Sequence, residues 1–151
     1  MPPLVSVIIP THRTDPRFLR EAVESALAQT YQPLELLVVD DGSADRAAWL
    51  TREYTGRLTY LWQQNGGPAS ARNTGIRWSR GELVAFLDAD DVWEPDKLAA
   101  QVALLEAHPE AGLAYAAVRK VDAQGHPLPQ GAAVRRPTGR IFPALFLRNF
   151  I

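Results

Sequence analysis

Short, uninterrupted runs of valine, isoleucine and leucine recur along the chain, and segments with helical spacing of apolar residues separate them. Strands that alternate with helices build a parallel sheet, and continuous apolar runs are typical of strands covered on both faces. The predicted strands are residues 5–9, 34–39, 58–62, 83–87 and 112–118. The predicted fold class is therefore α/β, an open, doubly wound, mostly parallel sheet with helices on both faces.

Helix start signals lie between these runs. Asp15 and Pro16 are a favourable N-cap and first residue for the first helix, and Ser43 is the expected N-cap of a helix that runs toward Tyr54. Two further helices are predicted over residues 69–79 and 95–108.

Size and composition restrict the class of protein. A chain of 151 residues suits one domain, and a net charge of -1 favours neither a nucleic-acid groove nor an anionic membrane surface. The absence of cysteine excludes disulfides, thiolate nucleophiles and cysteine-based zinc sites, and it suits a reducing compartment. The apolar runs are shorter than the roughly 20 residues of a membrane span. We expect no signal peptide and a cytoplasmic location, with peripheral attachment at the inner face of the membrane left open for a full-length form.

The character of the sequence changes after Val121. Residues 122–131 are rich in glycine and proline and predict a loop or hairpin, and a short helix is expected from Pro143. An exposed apolar segment over residues 142–151 would allow a homodimer. The expected organisation is an α/β domain over residues 1–121, followed by a loop and short helix over residues 122–151.

Polar clusters follow the first four predicted strands. They are Pro10–Arg13, Asp40 with Asp41, Asn65–Gly67 and Asp88–Asp91. Because ligands bind at the carboxyl ends of the strands in an open α/β sheet, we expect the clusters to converge on one crevice.

Asp88 and Asp90 have the spacing of side chains that point the same way from a strand, and Ala89 between them leaves room. Two carboxylates on one side suit Mg²⁺ or Mn²⁺, which bind such oxygens together with substrate phosphates. The alternative is a turn in which Asp88 and Asp91 are caps and Asp90 is solvated. The expected position of this pair beside the second acidic cluster, Asp40 with Asp41, favours a metal site over a solvated turn.

Asp41 is predicted to accept N–H groups of a nucleobase or hydroxyls of a ribose, whereas Asp40 is partly structural at the start of an Asx turn.

Gly66 and Gly67 allow a close backbone approach at a helix N-terminus that favours anions. Arg72 is placed to reach a phosphate or base, or to pair with Asp41 or Asp88, and the two roles are compatible. His12 carries little weight as a catalytic group.

Four segments in this order carry a family resemblance: SVIIPTHR, AQTYQPLELLVVDDGSAD, NGGPASARNTGI and LVAFLDADDVWEPDKL. Together they resemble the nucleotide-sugar half of a family-two glycosyltransferase with the GT-A fold. The resemblance implies that residues 1–121 bind a nucleotide-diphosphate sugar, with a UDP-sugar favoured, and transfer the sugar with inversion. It also implies a Mg²⁺ or Mn²⁺ cofactor and a role in cell-envelope polysaccharide synthesis.

The resemblance also implies roles for single residues. Asp41 would hold the base, Arg72 would lie near base or phosphate, Asp90 would be the direct metal ligand, and Asp88 would contact the ribose or the metal shell. Arg13 departs from the asparagine often found at its position. The implied nucleotide-binding residues are Pro10, Thr11, Arg13, Asp40, Asp41, Gly67, Arg72, Asp88 and Ala89.

Members of the family continue past this region into a half that carries the acceptor site and a carboxylate general base. An inverting displacement needs such a base to take the acceptor's proton. We expect residues 122–151 to begin the acceptor-side region and the general base to be absent, so that the chain binds donor better than it turns it over. Two alternatives remain open at this point: a non-catalytic nucleotide-sugar-binding module, and a receiver-like signalling domain with an acidic Mg²⁺ pocket. The sugar, the base and the acceptor are not determined.

Overall fold

The computed structural model describes residues 1–45, 47–122, 124–129 and 138–141. Internal contacts divide the chain into two compact units, Met1–Ala99 and Ala100–Ile151. The predicted helix from Pro143 and the apolar segment 142–151 lie outside the described residues. The predicted domain boundary at residue 121 stays a prediction.

The first unit contains a four-stranded parallel sheet. Its strands are β1 (Val5–Thr11), β2 (Leu34–Asp41), β3 (Thr59–Gln63) and β4 (Leu83–Phe86), in the order β3-β2-β1-β4. Helices connect successive strands, so the predicted α/β class is confirmed. The direction of winding reverses between the neighbouring strands β1 and β4, because β2 and β3 follow on one side of β1 and β4 lies on the other. Open α/β sheets bind ligands at such a position.

The strand order also tests one of the alternatives, the receiver-like signalling domain. A receiver-like domain belongs to the doubly wound class in which β1 lies between β2 and β3, whereas here β1 lies between β2 and β4. The receiver-like alternative is therefore wrong.

Four helices accompany the strands in the described part of the chain: α1 (Pro16–Leu27), α2 (Ala48–Glu53), α3 (Pro68–Trp78) and α4 (Lys97–Ala107). The start of α1 is as predicted, because the Asp15 carboxylate accepts the Arg17 N–H at 2.8 Å and Pro16 is the first helical residue.

The core lies on both faces of β1. Val7 and Ile9 point to the opposite face from Ile8, yet all three are fully buried. On the Ile8 face, α3 packs against β1 and β2. A Cβ on Gly75 would lie 2.4 Å from Ile8 Cγ2, so this close approach of helix to strand requires glycine. The first turn of α3 is thereby held at the carboxyl edge of the sheet.

Two predictions about this unit are wrong. Complete burial holds for the apolar residues at the centre of the sheet but not for its edge strands. Trp62 of β3 and Val84 and Phe86 of β4 are exposed, because an edge strand of the described sheet has a neighbouring strand on one side only. Ser43 is not the N-cap of α2, which begins at Ala48 after Ala47. The Ser43 hydroxyl instead accepts the N–H of Arg13 at 2.9 Å.

In the second unit, residues 112–118 form no strand, contrary to prediction. Leu113 and Val118 are more than half exposed, which is not the burial of a covered sheet strand. The predicted loop or hairpin is a hairpin where it is described: Val121 pairs antiparallel with Pro127, and the Leu128 N–H donates to the Lys120 carbonyl at 2.9 Å. No helix within the described residues has the length and apolarity needed to cross a membrane.

Candidate functional site

A cleft of about 670 Å³ lies at the carboxyl end of the sheet. The polar clusters that follow the first four strands all contribute to it, so the predicted convergence is confirmed. The sequence-predicted residues that line the cleft are Pro10, Thr11, Asp41, Gly67, Arg72, Asp88, Ala89 and Asp90.

Arg13 and Asp40, predicted among the nucleotide-binding residues, do not line the cleft. Asp40 is fully buried, and its carboxylate accepts the Ser43 N–H at 2.8 Å and the Tyr60 hydroxyl at 2.6 Å. Arg13 is exposed, with a φ of 53°, and its N–H donates to Ser43. Both residues therefore shape the loops around the cleft, with Ser43 as their common partner.

Asp41 lines the cleft at the end of β2 and is only 3% exposed. Its Oδ1 accepts the side-chain amide of Gln63 at 2.6 Å and the N–H of Gly66 at 2.9 Å, and its Oδ2 accepts the N–H of Gly67 at 2.8 Å. All three partners are donors, which matches a carboxylate that accepts hydrogen bonds. Asp41 thus joins β2 to β3 and to the loop before α3.

His12 also lines the cleft, although it carried little weight as a catalytic group in the sequence analysis. Its Nδ1 lies 2.7 Å from the carbonyl oxygen of Asp41. Because a carbonyl only accepts, Nδ1 carries the proton of this hydrogen bond. The side-chain nitrogen of Asn65 lies 3.2 and 3.3 Å from the two ring nitrogens, so the imidazole is positioned by β2 and by the loop after β3.

Asp88 and Asp90 follow β4. The strand ends at Phe86, and residues 88–91 form a turn in which the Asp91 N–H donates to the Asp88 carbonyl at 3.0 Å; Leu87 and Ala89 are buried, whereas Asp88 and Asp90 are exposed. The backbone turn of the alternative interpretation is therefore present, but both Asp88 and Asp90 line the cleft, as the metal hypothesis requires.

Arg72, one turn into α3, forms an ion pair with Asp88, with Nη2 at 2.6 Å from Oδ1. Of the two partners proposed from the sequence, Asp88 is therefore the one that Arg72 contacts. Asp91 lies beside this group, where burial, followed by the negative charges of Asp90 and Asp88, raises the pKa of its carboxyl. Like charges are concentrated here, which is an arrangement that favours a bound cation.

The donor set of Asp88 and Asp90 fits Mg²⁺ or Mn²⁺. Both residues line the cleft, and Ala89 between them is small. The described residues contain no group of three or more acidic, histidine or cysteine side chains that would hold an ion alone. Mg²⁺ is commonly bound by one or two carboxylates and completes its shell with water and substrate phosphates, so two acids are sufficient.

Sequence reasoning missed several lining residues at the start of α1 and beside the glycine loop. The available signal was the short distance along the chain between β1 and the α1 N-cap, which places the first turn of that helix next to the carboxyl end of β1. The additional lining residues are Thr14, Asp15, Phe18, Pro68 and Ala71.

Comparison with known families and sequences gives consistent matches. The family model described as Glycosyl transferase family 2 matches residues 6–146. An uncharacterized glycosyltransferase of Rickettsia prowazekii is 38% identical over 127 residues, which are 83% of this chain and 40% of the relative. The succinoglycan biosynthesis protein ExoW of Rhizobium meliloti is 45% identical over 100 residues, 62% of this chain and 31% of that protein. The chain thus spans about two fifths or less of the length of these relatives.

Solved structures of S. aureus TarS are also similar. TarS 1-349 in complex with UDP has a TM-score of 0.63 and 29% identity, and the match covers 70% of this chain and 32% of TarS 1-349. The complex with UDP-GlcNAc has a TM-score of 0.61, 31% identity and the same coverage.

Proposed function

Because this chain belongs to glycosyltransferase family 2, we propose that its cleft binds the nucleoside diphosphate of a nucleotide-sugar donor, with a UDP-sugar preferred. The sugar would be transferred with inversion to an acceptor that the sequence does not identify. The succinoglycan biosynthesis role in the name of ExoW supports polysaccharide assembly as the process. The cytoplasmic location stays a prediction.

The observation that carries the proposal is the presence of two different acidic groups in one cleft. Asp41 is buried and held by N–H donors at one position, and Asp88 with Asp90 are exposed carboxylates at another. A cleft of about 670 Å³ is within the usual range for small-molecule sites. The complexes of TarS with UDP and UDP-GlcNAc support the same ligand class.

Asp41 is proposed to bind the base. Its carboxylate is an acceptor only, so it favours a base with a ring N–H and disfavours one that presents a lone pair there. Pro10 and Thr11 at the end of β1 line the same cleft. The buried position strengthens the selection, because an unsuitable base would leave polar groups unpaired.

Asp88 and Asp90 are proposed to hold Mg²⁺ or Mn²⁺, with Asp90 as the direct ligand and Asp88 also placed for the ribose. When bound, the cation would offset the charge that develops on the departing diphosphate. Arg72 donates to Asp88 and lines the cleft, so its guanidinium is placed to donate to a phosphate as well. Ala89 and Gly67 leave space for the ligand.

Inverting transfer also requires a general base for the acceptor hydroxyl, and we assign no residue of this chain to that role. A binding module without catalytic activity would use the same cleft. Sugar transfer by the full-length protein would distinguish an enzyme from such a module.

Calorimetry of this chain with UDP, with and without Mn²⁺, tests the donor site. We expect UDP to bind more tightly with Mn²⁺, and Asp90→Asn to reduce that enhancement by at least about tenfold. Asp96→Asn, at another exposed aspartate, is the matched control and should behave as wild type. Absence of binding by UDP, GDP and CDP under both conditions, or an unchanged Mn²⁺ effect in Asp90→Asn, would contradict the proposal.

A further inference from the structure

We propose that Gln63 is a positioning residue that sets the nucleobase preference of the cleft by fixing the carboxylate of Asp41. The inference rests on the proposed function, because it assumes that Asp41 contacts the base. Gln63 itself does not line the cleft and acts through its neighbour.

The pairing of β2 with β3 places the two side chains together. Gln63 is the register partner of Asp41 in this parallel pair, and partners in register extend from the same face of a sheet. The Gln63 amide therefore lies beside the carboxylate, and its Nε2 donates to Asp41 Oδ1 at 2.6 Å. An ionised acceptor makes this hydrogen bond stronger than one between neutral groups.

Gln63 is itself held in place. Its Nε2 also donates to the hydroxyl oxygen of Ser70, in the first turn of α3, at 3.1 Å. Both hydrogens of the amide nitrogen are then used, which fixes the plane of the amide. The neighbouring loop is packed closely on the same serine, because a Cβ on Gly66 would lie 2.8 Å from the Ser70 hydroxyl oxygen.

The hydrogen bonds to Asp41 can be counted against its capacity. A carboxylate offers about four acceptor positions, two on each oxygen. Gln63 and Gly66 occupy Oδ1, and Gly67 occupies one position on Oδ2. One acceptor position therefore remains, on Oδ2, which suits a base that presents one ring N–H.

Uracil and cytosine differ at this point. Uracil has a ring N–H at N3, whereas cytosine has a lone pair there and an amino group beside it. While Gln63 fills Oδ1, the cytosine amino group finds no acceptor on that oxygen, and the lone pair faces a carboxylate. Removal of the Gln63 donor frees Oδ1 for the amino group and allows the carboxylate to turn. The preference for UDP over CDP should then decline.

The test compares Gln63→Met, which keeps the length of the side chain without its donor, with Gln64→Met at the exposed next residue. UDP and CDP affinities are measured by calorimetry in Mn²⁺, and thermal unfolding is measured in parallel. We expect Gln63→Met to reduce the ratio of UDP to CDP affinity by about tenfold, as for loss of one hydrogen bond to a charged group. Gln64→Met should keep the wild-type ratio.

Ser70→Ala provides a second variant, which removes the other anchor of the Gln63 amide on a helix that tolerates alanine. We expect it to reduce the ratio by about threefold, as for a neutral hydrogen bond. If Gln63→Met does not fold, the ratio of UDP to CDP affinity in Ser70→Ala is the measurement that tests the proposal.

The outcomes separate the two proposals. A folded Gln63→Met with the wild-type ratio, or an unchanged ratio in Ser70→Ala when only that variant folds, overturns the role of Gln63 alone. Equal affinity of the wild-type chain for UDP and CDP overturns both the role of Gln63 and the preference for a UDP-sugar. Absence of any nucleotide binding by the wild-type chain overturns the proposed function and this inference together.

Discussion

Asp41 and the Asp88–Asp90 pair line the same cleft but differ in burial and in hydrogen bonding. Asp41 is 3% exposed and accepts hydrogen bonds from a side-chain amide and two backbone N–H groups. The Asp88 side chain is 54% exposed and is paired with a partly exposed arginine, and Asp90 is exposed as well. The comparison shows that environment determines the role of a carboxylate. A buried carboxylate with three hydrogen-bond donors is held in one orientation, whereas an exposed one can exchange partners.

The largest expected difference between the two groups is in how much a substitution lowers the free energy of unfolding. Asp41→Ala leaves the donors of Gln63, Gly66 and Gly67 without their acceptor, so we expect the free energy of unfolding to fall by about 2 kcal/mol. Asp90→Asn should change it by less than about 0.5 kcal/mol, as is usual for exposed positions. Urea denaturation measures both, and equal losses would show that the distinction between the groups is wrong.

A smaller effect concerns the ion pair of Arg72 with Asp88. Arg72→Met removes a positive charge from the exposed group, so we expect the affinity of the nucleotide-free chain for Mn²⁺ to rise by about threefold. The same variant should bind UDP more weakly, because a phosphate donor is lost. Arg77→Met on the same helix, where the arginine is exposed and donates to Thr74, is the matched control. A Mn²⁺ titration in which Arg72→Met shows unchanged or weaker affinity would contradict the expectation.

The smallest effect is a dependence of stability on pH. Burial, followed by the charges of Asp90 and Asp88, raises the pKa of Asp91 above its ordinary value of 3.8. The folded state therefore binds the proton more tightly than the unfolded state, and Asp91 lowers stability as the pH rises from about 3.8 through its raised pKa. Asp91→Asn should be more stable than wild type near pH 7 by less than about 0.5 kcal/mol, because solvent screens a partly exposed group.

The difference between Asp91→Asn and wild type should disappear when the pH falls below the ordinary aspartate range. Urea denaturation at a series of pH values measures it. A difference that grows toward low pH would have the opposite sign and would exclude like-charge repulsion as the cause.

Much of the cleft was predictable because it depends on chain order and strand direction. Parallel strands end at one edge, so Asp41 and the Asp88–Asp90 pair had to approach one another once the α/β class was recognised. The start of α1 was predictable for a local reason, since Asp15 caps the helix within its own turn.

Other features depended on partners that are distant along the chain. Serine is a residue type favoured at helix N-caps, but the Ser43 hydroxyl accepts the backbone N–H of Arg13 on another loop. Residues 112–118 have the composition of a strand, but a strand exists only where a neighbour pairs with it. The link between Gln63 and Asp41 depends on the register of β3 against β2, which neither segment specifies by itself.

The sequence alone determined the α/β class, the position of each acidic cluster after its strand and the likeness to a glycosyltransferase family, because these follow from local pattern and chain order. Only the tertiary structure decided that Asp40 is buried away from the cleft, that Arg72 pairs with Asp88 and that the Gln63 amide donates to Asp41. The physical reason is that hydrogen bonds and ion pairs depend on distances of a few ångström, and those distances are set by strand register and helix packing across the whole unit.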